Sequence, residues 1–371
     1  MTSPKTIEEL DKNFASPKAA DGLLWYDIRS LPLEGMGWIN DDRLMPFDRL
    51  PARAKGKVRD NLWTLSEHAA GIHVRFVSNA PEIGAKWKLR NANLSMPHMP
   101  STGMSGLDLY VRDHGRWHWV GLGRPSAVDN SATLVKIHPP AAGGVDGQGS
   151  REYILYLPLY NGVESVQLGF PTGTSFRPAP AWLSKPNAKP IVFWGTSITQ
   201  GGCASRAGMA YPSIIGRRLE CPIINLGFSG NGPLELDFGQ FVAELDPAVY
   251  VLDNLPNMQA DAVTKMTEPV VKILRAAHPN TPIMLVENIV YQNTLSDTPT
   301  PASLSKNNEL RAAFGRLLAA GVQNIHLVAS EYLLGIDGEG TVDGSHPTDL
   351  GFIRMADFLA PVLRPLIECH L

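Results

Sequence analysis

The sequence predicts two consecutive folding units: an all-β sandwich or jelly roll, then an α/β unit on a parallel sheet. Three observations carry the prediction. From about residue 20 to 175, short runs alternate apolar and polar residues between turn signals. A proline-rich stretch follows, with Pro178, Pro180, Pro186 and Pro190 close together. Beyond it, continuous apolar runs alternate with helical patterns. The 371 residues suit two domains. We place a β-sandwich over 1–176, a linker over 177–190 and the α/β unit over 191–371.

In the first unit, "GIHVRFVS" sets Ile72, Val74 and Phe76 at period two, the mark of a half-buried strand. "AKWKLRN", "GLDLYVR", "WHWVGLG", "ATLVKIH", "EYILYLPLY" and "VESVQLGF" read the same way. The turns fall at Asp113–Gly115, Ala141–Ser150 and Asn161-Gly162. No amphipathic helix is expected among these strands, and Trp117 and Trp119, on one strand face, are expected in the core. The linker reading of 177–190 follows from proline, which fixes φ and removes a donor; the same stretch also suits a strap across both units.

In the second unit, "IVFWG", "PIINLGF", "VYVLDN", "PIMLVEN" and "IHLVAS" read as buried strands. Helices are expected from about Tyr211, near Leu236 to Glu244, up to His278, through "NELRAAFGRLLAAG" with Leu310, Phe314, Leu317 and Leu318 on one face, and from about Asp349. Right-handed crossovers restrict the topology, and such sheets bind ligands beyond the carboxyl ends of their strands.

Composition narrows the function. A formal charge of −3 and no dense Lys/Arg cluster argue against nucleic-acid binding. The three cysteines, Cys203, Cys221 and Cys369, offer neither a disulfide framework nor a CxxC pair. No His/Cys/Asp set has the spacing of a catalytic metal site, so no metal is expected. "MTSPKTIEELDKNF" lacks the pattern of a signal peptide, and no apolar run is long enough for a bilayer. As written the chain reads as cytoplasmic, or as periplasmic or secreted if a signal has been removed.

The candidate chemistry begins at "KPIVFWGTSITQGG", where Ser197 follows a buried strand in a glycine-rich turn. A serine nucleophile needs a base, an orienting acid and oxyanion donors. "TVDGSHPTDLG" places Asp343 and His346 three residues apart, so that a carboxylate can hold Nδ1–H and leave Nε2 for the serine. Their alternative role is a turn aspartate and a helix-capping histidine. "NLGFSGNG" and "LDNLPNM" supply glycine backbone and the amides of Asn254 and Asn257 as candidate donors, although these are also ordinary turn residues. Parallel-sheet geometry brings all four loops to one edge. "GTSITQGG" lacks the lysine of a P-loop, "GFSGNG" is not G-x-G-x-x-G, and "GTSIT" is not a G-x-S-x-G elbow.

These blocks resemble the SGNH (GDSL-type) hydrolases. "FWGTSIT" is similar to the first block, with Thr196 and Ile198 at the usual Asp and Leu. "GFSGNG" resembles the second, "DNLPNM" the third with Leu255 and Met258 at its usual Gly and Asp, and "DGSHPTDLG" the fifth. "SGLDLYVRDHGRW" resembles the GxDLY segment of a β-sandwich that precedes such hydrolases. The resemblance implies a flavodoxin-like α/β/α domain behind a jelly roll. It also implies catalytic Ser197, Asp343 and His346, and an oxyanion hole of Ser197, Gly230 and Asn257, with Asn254 as the alternative asparagine.

The implied activity is a serine esterase that removes small acyl groups, acetyl above all, from carbohydrates. It uses no cofactor and acts on a small-molecule or oligosaccharide ester; no nucleic-acid or membrane partner is expected, and a homo-oligomer is left open. Arg206, in the loop after the serine, is a candidate for substrate binding, with a surface ion pair as its other reading. The competing readings are a thioesterase or lysophospholipase-like acylhydrolase, and a carbohydrate-binding protein without activity.

Overall fold

A computed structural model of the chain describes residues 10–11, 19–20, 22–138, 149–180, 182, 189–292 and 301–368. The first half contains β1 (Leu23–Asp27), β2 (Leu33–Glu34), β3 (His73–Ser78), β4 (Glu82–Leu89), β5 (Leu107–Asp113), β6 (Arg116–Gly123), β7 (Asp129–Lys136), β8 (Arg151–Tyr156), β9 (Val163–Pro171) and β10 (Phe176–Pro178). They form two antiparallel sheets, β1-β9-β4-β7 and β10-β3-β8-β5-β6, with β2 also on β3. Ile83, Trp87 and Leu89 of β4 and Val166 and Leu168 of β9 fill the space between them. This is the expected sandwich.

Three local expectations change. β3 is buried along its whole length rather than on alternate faces. Its polar residues are covered by neighbours of the same half, where Arg75 pairs with Glu34 and Glu152 at 2.8 and 2.7 Å. A helix, α1 (Asp60–Ser66), interrupts the β pattern and buries Leu62 and Trp63. The stretch expected as linker begins as strand, since Arg177 and Pro178 pair with Val77 and Phe76. Trp182 is buried under the Arg75 guanidinium, 4.1 Å from the ring centroid. Residues 181 and 183–188 of that stretch, most of the expected 141–150 turn, and Cys369 lie outside the described residues.

The second half is a five-stranded parallel sheet of β11 (Ile191–Gly195), β12 (Ile223–Gly227), β13 (Val249–Asp253), β14 (Ile283–Val286) and β15 (Ile325–Val328), in the order β12-β11-β13-β14-β15. That is the flavodoxin-like order, with the strand sequence reversing at β11. Gly195 aligns with Gly227 on one side and Asp253 on the other, so the three central strands end at one level. α2 (Ser101–Met104) lies between β4 and β5. α3 (Ser197–Gln200), α4 (Tyr211–Leu219), α5 (Leu236–Val242), α6 (Ala260–Ala277), α7 (Pro301–Ala319) and α8 (Asp349–Glu368) follow β11. On α7 the buried line is Leu310, Ala313 and Leu317, while Leu318 is exposed. At 100° per residue Leu318 has rotated off the stripe that Ala313 completes.

The two halves share their cores. One cluster joins Met104, Tyr110, Tyr156 and Tyr160 to Phe193, Ile215 and Phe352; another joins Leu50, Leu62 and Trp63 to Trp194, Phe228 and Phe238. Arg49 crosses between them fully buried. Its guanidinium donates to the carbonyls of His68, Leu65, Asn225 and Gly227 at 2.9, 2.7, 3.1 and 2.6 Å, and lies 4.6 Å from the Phe228 ring centroid. Burial pulls its pKa down to about 9, which leaves the charge in place at neutral pH.

Candidate active site

β11 is apolar and buried on both faces, and its last residue is Gly195, where nothing larger fits: an added Cβ would stand 2.0 Å from Thr199 Oγ1. Thr196 then caps α3 by accepting the N–H of Ile198. Ser197 is the first helical residue, where a backbone N–H has no intrahelical acceptor.

The last loop of the sheet reaches this serine. Ser197 Oγ lies 2.8 Å from His346 Nε2, and His346 Nδ1 lies 2.7 Å from Asp343 Oδ2. Asp343 Oδ1 also accepts the backbone N–H groups of Ser345 and His346, at 3.0 and 2.7 Å. Burial acts to raise the Asp343 pKa, but the His346 backbone and ring hydrogen bonds outweigh it and hold the carboxyl below its usual range. Asp343 is therefore ionised at neutral pH and fixes the tautomer that presents an Nε2 lone pair to the serine hydroxyl.

The other two loops close around the same point. Gly230 has φ of +65° with open space at its Cβ position, so conformation rather than crowding requires glycine there. Gly232 is different: an added Cβ would meet the Gly195 carbonyl oxygen at 1.9 Å. Both asparagines hold Gly232, but through opposite atoms. Asn254 is buried and donates Nδ2–H to the Gly232 carbonyl at 2.7 Å, whereas Asn257 accepts the Gly232 N–H through Oδ1 at 3.1 Å. One Nδ2 hydrogen of Asn254 is thus committed to the loop, whereas Asn257 is tied to the loop through its acceptor.

Below the serine sits a network that sequence reasoning did not single out. Asp253 at the end of β13 accepts from Tyr211 and Thr199 at 2.9 and 3.1 Å. Its full burial pushes its pKa up to about 7 despite those two bonds. Gln200 bridges outward, accepting from the Ser229 N–H and donating to the Leu159 carbonyl of the sandwich half.

Arg206 makes the ion pair that was its other reading: it pairs with buried Asp108 at 3.1 Å, donates to the Tyr110 hydroxyl, and lies 5.3 Å from the Trp119 ring centroid. Asp108 also accepts from Gly208 N–H and Trp119 Nε1 at 2.8 and 2.9 Å. The Asp and Tyr of "GLDLY" thereby tie the sandwich to the loop after the serine. Trp119, expected in the core, is 48% exposed because its ring edge serves this tie at the surface; Trp117 is half-buried.

The sandwich half also reaches the histidine. His98, on the segment between β4 and α2, stands 6.0 Å from the His346 ring, centroid to centroid. Sequence spacing contained no signal for it. A cavity of about 780 Å³ lies at the opposite sheet edge, lined by Trp38, Trp182, Pro190 and Pro222, and includes no residue of the serine site.

The family model of the GDSL-like lipase/acylhydrolases matches residues 188–364, and that of the GxDLY N-terminus of SGNH-hydrolase-type esterases matches 23–176. A GDSL-like lipase from Bacteroides ovatus is 30% identical, with a TM-score of 0.84 over 94% of this chain and 98% of that one. A salicylyl-acyltransferase from a tetracycline biosynthetic pathway shares the fold at 15% identity and TM-score 0.69, over 93% and 98% of the two chains. A family two carbohydrate esterase from Clostridium thermocellum does so at 14% and 0.54, over 80% and 92%. A comparison with curated sequences finds no match. With its two-part fold matched along almost its whole length at this identity, the chain belongs to the GDSL-like lipase/acylhydrolase family.

Proposed function

We propose that the chain is a serine esterase that hydrolyses small acyl esters, acetyl foremost, on carbohydrate acceptors. The observation that carries the reading is the Asp343–His346–Ser197 relay, with hydrogen bonds of 2.7 and 2.8 Å at the carboxyl edge of the sheet. Ser197 Oγ attacks the ester carbonyl while its proton passes to His346 Nε2. Asp343 holds the resulting imidazolium through Nδ1–H. The N–H groups of Ser197 and Gly230 and the Asn257 amide hold the oxyanion. His346 then protonates the departing alcohol, and water releases the acyl group by the same steps.

Crowding around the serine supports a small acyl group. Ser197 is 7% exposed, and a Cβ on neighbouring Gly202 would stand 3.3 Å from His346 Cδ2 and 2.9 Å from the Tyr160 hydroxyl. The fold shared with a carbohydrate esterase supports the choice of acceptor.

The test is hydrolysis of 4-nitrophenyl acetate, butyrate and octanoate, and of acetylated xylo- and cello-oligosaccharides, by wild type and Ser197→Ala. Acetate turnover that exceeds octanoate and falls at least about 1,000-fold in the variant is expected. Equal rates in the two proteins would remove Ser197 from the mechanism, and octanoate preference would favour the lipid acylhydrolase reading.

A further inference from the structure

We propose that His98, Cys203 and His346 form a binding site for a zinc-type divalent cation, whose occupation silences the serine. One nitrogen from each imidazole and the Cys203 sulfur all lie within 4.8 Å of one another, the single such grouping among the described residues. Two imidazoles and a thiolate are a donor set suited to zinc, with water able to complete a tetrahedron. Bonds of about 2.0–2.3 Å would bring the donor atoms within roughly 3.3–3.8 Å of each other, a contraction of about 1 Å. His98 is exposed on its loop and Cys203 is buried, so the closing movement falls on the free ring.

The support behind the ligands is already in place. His346 is held through Nδ1 by Asp343 Oδ2 at 2.7 Å, the carboxylate–histidine arrangement that orients an imidazole toward a metal. The same bond leaves the Nε2 lone pair outward, and Ser197 Oγ stands 2.8 Å from it. Cation and serine proton therefore compete for one lone pair. Burial and the nearby Asp343 carboxylate keep the Cys203 thiol protonated in the metal-free chain. Binding transfers that proton to solvent as the sulfur–metal bond forms, with no change of oxidation state.

Silencing rests on the serine mechanism proposed above; binding does not, and the two are read separately. Co2+ is titrated into the full chain, its thiolate charge-transfer absorption is followed, and Zn2+ is used to displace it. Wild type and Ser197→Ala are expected to bind one ion with the thiolate band. Cys203→Ala should lose the band, and His98→Ala should bind at least about 10-fold more weakly. In the ester assay, Zn2+ should inhibit wild type reversibly with a chelator. The inhibiting concentration should rise at least about 10-fold in His98→Ala, measured against that variant's own metal-free rate. A wild type with no thiolate band at saturating Co2+ overturns the site. So does a band or affinity unchanged in both Cys203→Ala and His98→Ala, which would place the ion on another thiol. His98 is exposed, so its variant judges the site even if Cys203→Ala fails to fold. A correct site without inhibition would overturn the silencing alone.

Discussion

Asn257 allows the oxyanion assignment to be separated from loop structure. Its Oδ1 accepts the Gly232 N–H at 3.1 Å, and its Nδ2 is the proposed donor to the oxyanion. Asn257→Ala removes both. Loss of the donor should lower kcat about 100- to 1,000-fold, or about 2.7–4 kcal/mol of transition-state stabilisation, with KM little changed. Loss of the acceptor leaves the buried Gly232 N–H unpaired, which should lower stability by about 1–3 kcal/mol. Asn257→Asp divides the two effects, because a carboxylate still accepts from Gly232 but offers the oxyanion no donor and a like charge. Urea unfolding should show Asn257→Asp more stable than Asn257→Ala, while 4-nitrophenyl acetate kinetics show kcat at least as low. A kcat for Asn257→Asp within threefold of wild type would refute the assignment.

Four further variants test the same structure. Asp108→Ala strands Arg206 and the Gly208 N–H at the seam between the halves; since Arg206 is partly exposed, the loss should be about 3 kcal/mol, read by urea unfolding. Asp253 has a folded pKa of about 7 against 3.8 for an ordinary carboxyl, so the native state holds its proton more tightly than the unfolded chain. That contribution is complete below pH 3.8 and is lost as pH rises to the folded value, so Asp253→Asn should gain thermal stability over wild type progressively from about pH 4 to about 7 and level off above it. Gly232→Ala should prevent folding, because its Cβ would meet the Gly195 carbonyl oxygen at 1.9 Å. Gly230→Ala should cost only about 1–2 kcal/mol for its left-handed backbone, as circular dichroism melts would show.

Much of the architecture was legible because it rests on local pattern. Period-two runs such as "AKWKL" and continuous runs such as "IVFWG" report how many faces a strand buries. The juxtaposition of Ser197, Asp343 and His346 was legible for a different reason: loops after parallel strands share one edge, so residues 149 positions apart could be placed together. What escaped notice lies where the halves meet. Arg75 and His73 looked solvent-facing because the second surface that covers β3 is tertiary. Arg206 sits in a loop whose partner, Asp108, arrives from another sheet, and spacing rules are blind to that pairing. His98 was invisible for the same reason, since His98, Cys203 and His346 come from three separate loops. Helix α1 is too short for periodicity to stand out; its tryptophan is buried by the far half of the chain.

The Arg49 contacts also constrain the order of folding during synthesis. Two of its acceptors, the carbonyls of Asn225 and Gly227, leave the ribosome more than 170 residues after it does. Until then a guanidinium destined for full burial must stay hydrated, and Leu62 and Trp63 have no surface to cover. The amino-terminal segment thus waits for the carboxy-terminal sheet, which in turn relies on it to complete one of its cores. A fragment starting at residue 189 would keep the helices on that sheet but uncover the two β12 carbonyls and the apolar surface beneath Leu50, Leu62 and Trp63. The half that carries Ser197 is in this sense packed as one body with the half that precedes it.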